Sequence, residues 1–326
     1  MKRFKNILCV VGTKTDCKHA LQRAVELAEN NQARLTVANV IAHDNAGIGM
    51  PDGDPVSIDL QAARLKVHTQ AIEKMLEPFR QQIEIDIKIL YGTPFLEVIR
   101  EVLRNDYDLV IKSPETQDWL DQLFGSDDMH LLRKCPCPVW LTKPGAPKTY
   151  RCILAAVDID KTYPQEEQET RRKLNHKIME IASSLAISNF ADLHIVHSWK
   201  SISESTLRSP FINTSEEEIV AYINDIKELH STNLDALIND VTDSLGADIL
   251  AYLKPHKHMI KGNARKEIPA FAKSIKADLI VMGTVGRTGI PGFIMGNTAE
   301  SILNHIDCSV LAVKPPGFET PVTLID

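Results

Sequence analysis

The fold of this chain is decided by a stretch that occurs twice, YDLVIK at residues 107–112 and ADLIVM at residues 277–282. Each stretch is a short aliphatic run after an aspartate, which is typical of a strand buried on both faces of a parallel sheet. A second pair, CPVWLTKP at 137–144 and CSVLAVKP at 308–315, has almost the same offset, 171 residues instead of 170. Two matches at nearly one spacing indicate an internal duplication.

The duplication extends to the beginning of each copy. NILCVV at 6–11 matches CILAAV at 152–157, and RLTV at 34–37 matches DLHI at 192–195. These offsets are shorter, so the second copy carries about twelve extra residues in each of two connections. Loops tolerate such insertions because the entropy of loop closure grows slowly with length.

The stretch KPGAPK at 143–148 separates the copies, because two prolines and a glycine cannot continue a helix or a central strand. The sequence therefore predicts a first domain over 1–143, a linker over 144–149, a second domain over 150–316 and a C-terminal tail over 317–326. Such a short linker favours direct packing of the two copies.

Short apolar runs alternate with amphipathic stretches in both copies. The strands predicted in the first copy are Ile7–Val11, Leu35–Ile41, Ile83–Leu90, Leu109–Ile111 and Val139–Leu141. The predicted helices are Ala20–Asn30, Ile58–Phe79 and Phe95–Arg104 in the first copy, and 168–187, 215–244 and 265–276 in the second. This alternation predicts an α/β protein made of two tandem doubly wound parallel-sheet domains.

The composition narrows the range of functions. The 326 residues are 44% apolar and 25% charged with a net charge of -6, which argues against a surface that coats nucleic acid. The longest basic run, RRK at 171–173, is predicted to lie on a solvated helix face. No stretch approaches the ~20 apolar residues of a membrane span. The six cysteines lack the spacing of a metal or redox motif, so we expect a reducing, cytoplasmic location.

A glycine-rich segment in the second copy predicts a phosphate site. GTVG at 283–286 follows a predicted strand, and GNT at 296–298 opens a helix nine residues later. Glycines at the end of a parallel strand let backbone N–H groups converge on an anion. Asp158 ends the first strand of the same copy, so it is expected at the same sheet edge, where it could accept from an adenine amine or a ribose hydroxyl.

This pattern resembles the nucleotide-binding universal stress proteins, and the resemblance covers the whole chain twice. It implies ATP as the ligand, with or without Mg²⁺, and Val157, Asp158 and the backbone at Ser198 as its adenosine contacts. It also implies contacts of the second copy with the ribose and phosphates, namely Met282, Gly283, Val285, Gly286, Gly296, Asn297 and Thr298. Asn297 departs from the Ser or Thr usual there. Arg287, in the same loop, is a candidate phosphate clamp.

The first copy lacks these features. Gly12 stands where the second copy has Asp158, Ser113 replaces Gly283, and PET at 114–116 replaces TVG. Gly125-Ser126 is kept, but Asp127-Asp128 follows and is expected to repel phosphate, although two acids in a first helical turn also stabilise a helix. We therefore expect one ATP per chain.

The resemblance implies a stress-response protein that acts as a nucleotide-dependent sensor or interaction module with a protein partner. It also implies that the two copies pair through their final strands, as separate subunits of that family do. Val139–Thr142 would then lie beside Val310–Val313, which would remove two exposed sheet edges and bury Trp140. No Walker loop and no complete phosphoryl-transfer set is evident. Two alternatives remain open: a slow ATPase, and a carrier of an apolar or lipid-like ligand in the first copy or between the copies. Loops as long as the connections 42–58 and 199–214 are often functional, and the apolar residues of the second could line a cleft for an acyl chain or a partner instead of packing over the sheet. His194 and His197 should face opposite sides of the sheet. His256 and His258 could share a face, where a metal site is an alternative to simple packing.

Overall fold

The computed structural model describes residues 4–12, 17–42, 55–114, 127–209, 214–284 and 295–324. Within these ranges ten strands form one continuous sheet. The strands are β1 (Asn6–Val10), β2 (Arg34–Ile41), β3 (Ile85–Tyr91), β4 (Leu109–Lys112) and β5 (Val139–Leu141) in the first copy, and β6 (Cys152–Ala156), β7 (Asp192–Trp199), β8 (His256–Lys261), β9 (Leu279–Gly283) and β10 (Ser309–Val313) in the second.

The strand order is β3-β2-β1-β4-β5-β10-β9-β6-β7-β8, so each copy has the same order outward from the centre. Pairs within a copy are parallel. The predicted α/β class is confirmed. Parallel pairing aligns the carboxyl ends of the strands within each copy, and that edge is where ligands bind in such sheets.

Helices cover both faces of the sheet. They are α1 (Lys18–Asn31), α2 (Pro55–Leu76), α3 (Pro94–Asn105), α4 (Asp127–Lys134), α5 (Gln165–Asn189), α6 (Glu204–Leu207), α7 (Glu216–Leu245), α8 (Ala247–Leu253), α9 (Ala264–Ser274) and α10 (Asn297–Leu303). Side chains of α1, α2, α5 and α7 enter one apolar core, and those of α3, α4, α9 and α10 enter the other. The short helices α6 and α8 were not predicted, because helical periodicity is recognisable only over longer windows.

The aspartate of the repeated stretch has one structural role in both copies. The Asp108 carboxylate accepts from the backbone N–H groups of Lys5 at 2.7 Å and Asn6 at 3.2 Å. Asp278 accepts in the same way from Arg151 at 2.6 Å and Cys152 at 3.0 Å. The carboxylate thereby fixes the beginning of the first strand of its copy, which explains why an aspartate precedes each aliphatic run.

The two copies join through their last strands. β5 and β10 pair antiparallel, with Trp140 opposite Leu311 and Leu141 opposite Val310. The predicted pairing is confirmed, and so is the burial of Trp140, which has no exposed surface. Because the join is antiparallel, the carboxyl ends of the strands in the two copies point to opposite edges of the sheet.

Candidate functional site

A cavity of about 710 Å³ lies at the carboxyl ends of β6, β7 and β9 in the second copy. Residues from three predicted segments line it together: Val157 and Asp158 after β6, Ser198 of β7, and Met282 and Gly283 of β9. The lining also includes Gly296, Asn297 and Thr298 at the beginning of α10. The structure thus brings together eight of the eleven site residues expected from sequence. The other three, Val285, Gly286 and Arg287, lie outside the described residues.

The backbone at Asp158 is fixed by α5. Asn175 donates its amide Nδ2 to the Asp158 carbonyl at 2.6 Å and accepts from the Asp158 N–H at 3.1 Å. The preceding residue, Val157, continues the sheet by donating its N–H to the Val196 carbonyl at 3.0 Å. A side-chain amide with one donor and one acceptor suits this reciprocal pair. Asn175 itself lines the cavity.

The Asp158 side chain is held by two residues that the sequence analysis did not assign to the site. Arg171 Nη1 donates to Asp158 Oδ2 at 2.8 Å, and the Tyr163 hydroxyl donates to the same oxygen at 3.0 Å. The Arg171 guanidinium carbon also lies 3.4 Å from the centroid of the Tyr163 ring. Burial and the nearby Asp158 carboxylate raise the pKa of Tyr163 to about 12, so its hydroxyl remains a donor at neutral pH.

This arrangement corrects the prediction for the basic run at 171–173. Arg172 and Lys173 do lie on a solvated face, with side chains 58% and 55% exposed, but the Arg171 side chain is only 15% exposed and lines the cavity. Helical geometry explains the difference, because consecutive residues on a helix point about 100° apart. The sequence contained one indication of these contacts. The second copy carries about twelve extra residues between β6 and β7, and they supply Tyr163 and the first turns of α5 beside Asp158.

The opposite end of the cavity is formed by Gly283 and the beginning of α10. A Cβ atom at Gly283 would lie 2.6 Å from Leu174 Cδ2 of α5. This glycine therefore permits close packing of α5 on β9. Beyond it, the Thr284 carbonyl accepts from the Gly296 N–H at 3.0 Å, which brings the two parts of the glycine-rich segment together.

Lys314 connects this end of the cavity to the first copy. Its buried Nζ donates to the Thr284 hydroxyl at 2.7 Å and to the backbone carbonyls of Leu132 and Arg133 at the end of α4. A cation at a helix C-terminus is favoured by the unpaired carbonyls there. Burial nevertheless lowers the pKa of Lys314 to about 7.

At the β7 end, polar groups fix the strand beneath the cavity. The Ser198 hydroxyl donates to the Gly262 carbonyl at 2.9 Å. His197 Nδ1 lies 3.1 Å from the Val157 carbonyl and must donate to it, because a carbonyl only accepts. His197 Nε2 is 3.0 Å from His230 Nδ1. Burial lowers the pKa of His197, which favours the neutral ring.

The corresponding region of the first copy is bridged by an ion pair. Lys112 Nζ donates to Asp128 Oδ1 at 2.6 Å, and both side chains are buried. At the repeat offsets these residues match Met282 and Ala299, which line the cavity of the second copy. Lys112 thus neutralises Asp128, one of the two acids expected to repel phosphate there. Residues 115–126, with the retained Gly125-Ser126, lie outside the described residues.

The histidines lie on the faces of the sheet that the sequence predicts. His194 Nδ1 is 2.9 Å from His258 Nε2, and its ring stacks on His256, whereas His197 contacts His230 on the other face. Burial lowers the pKa of both His194 and His258. In the described ranges no group of three or more His, Cys, Asp or Glu side chains could hold a metal ion. None of the described helices is both long and apolar enough to cross a membrane.

The connection over 199–214 is a candidate wall of an apolar cleft. It lies only partly within the described residues. Trp199 lines the cavity, whereas Ile202 is 52% exposed. Pro210, Phe211 and Ile212, and most of the connection over 42–58, lie outside the described residues.

Comparison with solved structures agrees with this fold. A structure from Pseudomonas aeruginosa UCBPP-PA14 covers 96% of this chain and 94% of its own, with a TM-score of 0.66 at 24% identity. A universal stress protein from Archaeoglobus fulgidus DSM 4304 covers 95% of this chain and 98% of its own, with a TM-score of 0.59 at 16% identity. Both likenesses concern the fold alone.

Sequence comparison gives the family. The chain is 31% identical over 322 residues to the Universal stress protein E homolog of Haemophilus influenzae, covering 96% of this chain and 98% of that relative. It is 29% identical over 336 residues to Universal stress protein E of Escherichia coli K12, covering 100% and 99%. The model of the Universal stress protein family matches residues 3–143 and 150–314. Because this model matches almost the whole sequence, once in each copy, the chain belongs to the universal stress protein family.

Proposed function

We propose that this chain binds one adenine nucleotide, ATP, in the cavity of its second copy, and that the bound nucleotide changes how the protein engages a protein partner in a stress response. The observation that carries the proposal is the convergence of separated segments. Asp158, Ser198, Gly283 and Gly296–Thr298 come from four parts of the sequence and line one cavity. Its volume of about 710 Å³ lies in the range typical of small-molecule sites, ~300–1,000 Å³.

The proposed orientation follows from the chemistry at each end. Backbone N–H groups of Asn297 and Thr298 at the beginning of α10 suit phosphate oxygens, and Gly283 and Gly296 let an anion approach the main chain closely. Carboxylate oxygens only accept, so Asp158 suits a ribose hydroxyl or the adenine amine. Arg171 and Tyr163 occupy Oδ2 of Asp158. The ligand would therefore bind Oδ1.

The differences between the two copies explain why we propose one site per chain. In the first copy Gly12 offers no carboxylate where Asp158 stands, and the Lys112–Asp128 pair bridges positions that are open in the second copy. The described residues offer no group of three metal-binding side chains. We therefore assign no protein ligands to a Mg²⁺ ion, which could accompany ATP through the phosphates alone.

Titration of the protein with ATP in a calorimeter tests the proposal directly. We expect saturable heat with a stoichiometry near one. A stoichiometry near two would overturn the asymmetry between the copies, and the absence of binding would overturn the function itself. Asp158→Ala provides the matched variant: it removes the ligand's expected acceptor and should weaken ATP binding by about 10-fold, as loss of one hydrogen bond to a charged group does.

A further inference from the structure

The last turn of α4, in the first copy, is linked to both parts of the glycine-rich segment of the second copy. Lys314 makes the first link. Its buried Nζ donates to the carbonyls of Leu132 and Arg133 and also to the Thr284 hydroxyl at 2.7 Å. Thr284 directly follows Gly283 at the end of β9. The Lys314 ammonium therefore connects the end of β9 to a helix of the other copy.

An ion pair links the same turn of α4 to the second part of the segment. Arg133 Nη2 donates to Glu300 Oε1 at 2.7 Å, and the two side chains are only 25% and 19% exposed. Glu300 lies in the first turn of α10, where its N–H donates to the Gly296 carbonyl at 3.0 Å. Arg133 thereby holds the turn that carries Asn297 and Thr298, and these two residues line the cavity.

The ion pair has no equivalent in the opposite direction. At the repeat offset of 171 residues, Arg133 matches Asn304 and Glu300 matches Met129. Asparagine and methionine carry no charge, so the matching residues cannot form an ion pair from α10 to α4. The link therefore supports α10 of the second copy without a counterpart that supports α4.

The link through Lys314 is also specific to the second copy. Lys314 matches Lys143 in the repeat, but Lys143 Nζ pairs with Asp307 Oδ1 at 2.6 Å. The residue that matches Thr284 is Pro114, which has no hydroxyl to accept from a lysine. Both links thus act on the copy that keeps the glycine-rich segment.

We propose that the last turn of α4 positions this segment for the phosphates, so that the first copy contributes to nucleotide binding in the second, an inference that rests on the proposed function. Binding groups must be held within ~0.5 Å of their productive geometry, and residues behind a site supply that rigidity. Arg133 and Lys314 are such positioning residues, because neither lines the cavity and each acts through a residue of the segment, Glu300 or Thr284.

The test measures the affinity for ATP after the ion pair is removed. Arg133→Met alone would leave the Glu300 charge unpaired near the phosphates, so the deciding variant is Arg133→Met/Glu300→Gln, which keeps the net charge of the wild type. Its dissociation constant for ATP should rise about 5-fold, within the range of coupling between contacting residues. Adenosine, which has no phosphates, should bind this variant and the wild type equally.

Arg23→Met is the matched control, because Arg23 is also a buried arginine of the first copy that contacts the second. It donates to the Lys148 carbonyl at 2.8 Å and to Asn189 Oδ1 at 3.1 Å. Asn189 lies about 27 Å along α5 from Arg171, far from the cavity residues of that helix. The control should lower the free energy of unfolding in urea and leave the affinity for ATP unchanged.

Three results would overturn the inference: wild-type affinity for ATP in the double variant, an equal loss for adenosine and ATP, or the same loss of ATP affinity in Arg23→Met. The first would limit any effect of Arg133→Met to its charge, and the other two would indicate a general loosening of the protein. Failure of the wild type to bind ATP would instead overturn the proposed function, so the first titration separates the two.

Discussion

Arg171 Nη1 lies 2.8 Å from Asp158 Oδ2, the same oxygen that the Tyr163 hydroxyl contacts. The other carboxylate oxygen has a weaker contact, 3.4 Å from the Asp160 N–H. The two donors thus fix the rotation of the carboxylate and leave its second oxygen open to the proposed nucleotide. Arg171 acts on the proposed site by positioning Asp158.

Replacing Arg171 should weaken nucleotide binding. In Arg171→Met the carboxylate loses its charged partner and can turn away, and we expect the dissociation constant for ATP to rise about 10-fold, or about 1.4 kcal/mol. Arg172→Met is the control, since that side chain is 58% exposed and pairs with Glu169. It should bind ATP like the wild type in calorimetric titration. Tighter binding by Arg171→Met would show that arginine and ligand compete for Asp158.

A second prediction concerns Gly283 and its neighbour on α5. Gly283→Val should lower the free energy of unfolding by about 1–3 kcal/mol, the usual cost of overpacking, and weaken ATP binding. The reason is the 2.6 Å approach between a Cβ there and Leu174 Cδ2. Adding Leu174→Ala should restore part of the free energy of unfolding, measured in urea, and part of the affinity for ATP, measured by calorimetric titration. If the second change restores stability but leaves binding lost, the valine blocks the phosphate itself.

The ion pair of the first copy gives a stability prediction. Lys112→Met or Asp128→Ala alone should lower the free energy of unfolding by about 3 kcal/mol, because each leaves one charge buried without its partner. The double variant places in the first copy the residues found at Met282 and Ala299. It should recover to within about 1 kcal/mol of the wild type in urea unfolding. If the double variant instead loses as much free energy of unfolding as the two single variants together, the two charges contribute independently to stability.

Bound ATP should slow hydrogen exchange at the proposed site of the second copy and not at the matching residues of the first. Ligand at 100 times its dissociation constant adds about 2.7 kcal/mol to the state that binds it. Hydrogen exchange should slow at Gly283, Thr284 and Gly296–Thr298, and stay unchanged at Ser113, the residue that matches Gly283. Equal slowing at Ser113 would show a second nucleotide in the first copy.

The features that could be predicted from the sequence depend on the internal repeat and on where the strands end. The place of β5 beside β10 was implied by the family resemblance, and it agrees with the need to cover exposed sheet edges. Asp158 was expected at the site because parallel strands align their carboxyl ends, and it lines the cavity. These inferences need only the order of the elements, not the rotation of any side chain.

The contacts of Asp158 and Asp128 could not be predicted in the same way. Arg171 follows Asp158 by thirteen residues, and Lys112 precedes Asp128 by sixteen, so each contact depends on how a helix is rotated against the sheet. A charge run such as 171–173 contains both a cavity residue and solvated ones. Whether Asp128 repels an anion depends on the lysine beside it, which sequence spacing does not show.

Across the antiparallel join of β5 and β10, the carboxyl ends of the two sets of strands lie at opposite edges of the sheet, so the molecule has two ends. Two identical subunits joined in this way would offer equal ends to their surroundings, and a partner could approach either one. Duplication within one chain has let Asp158 and Lys112 make the ends different, with the large cavity at one and a closed ion pair at the other. A partner that responds to the nucleotide should therefore dock at a single end, one partner to each chain.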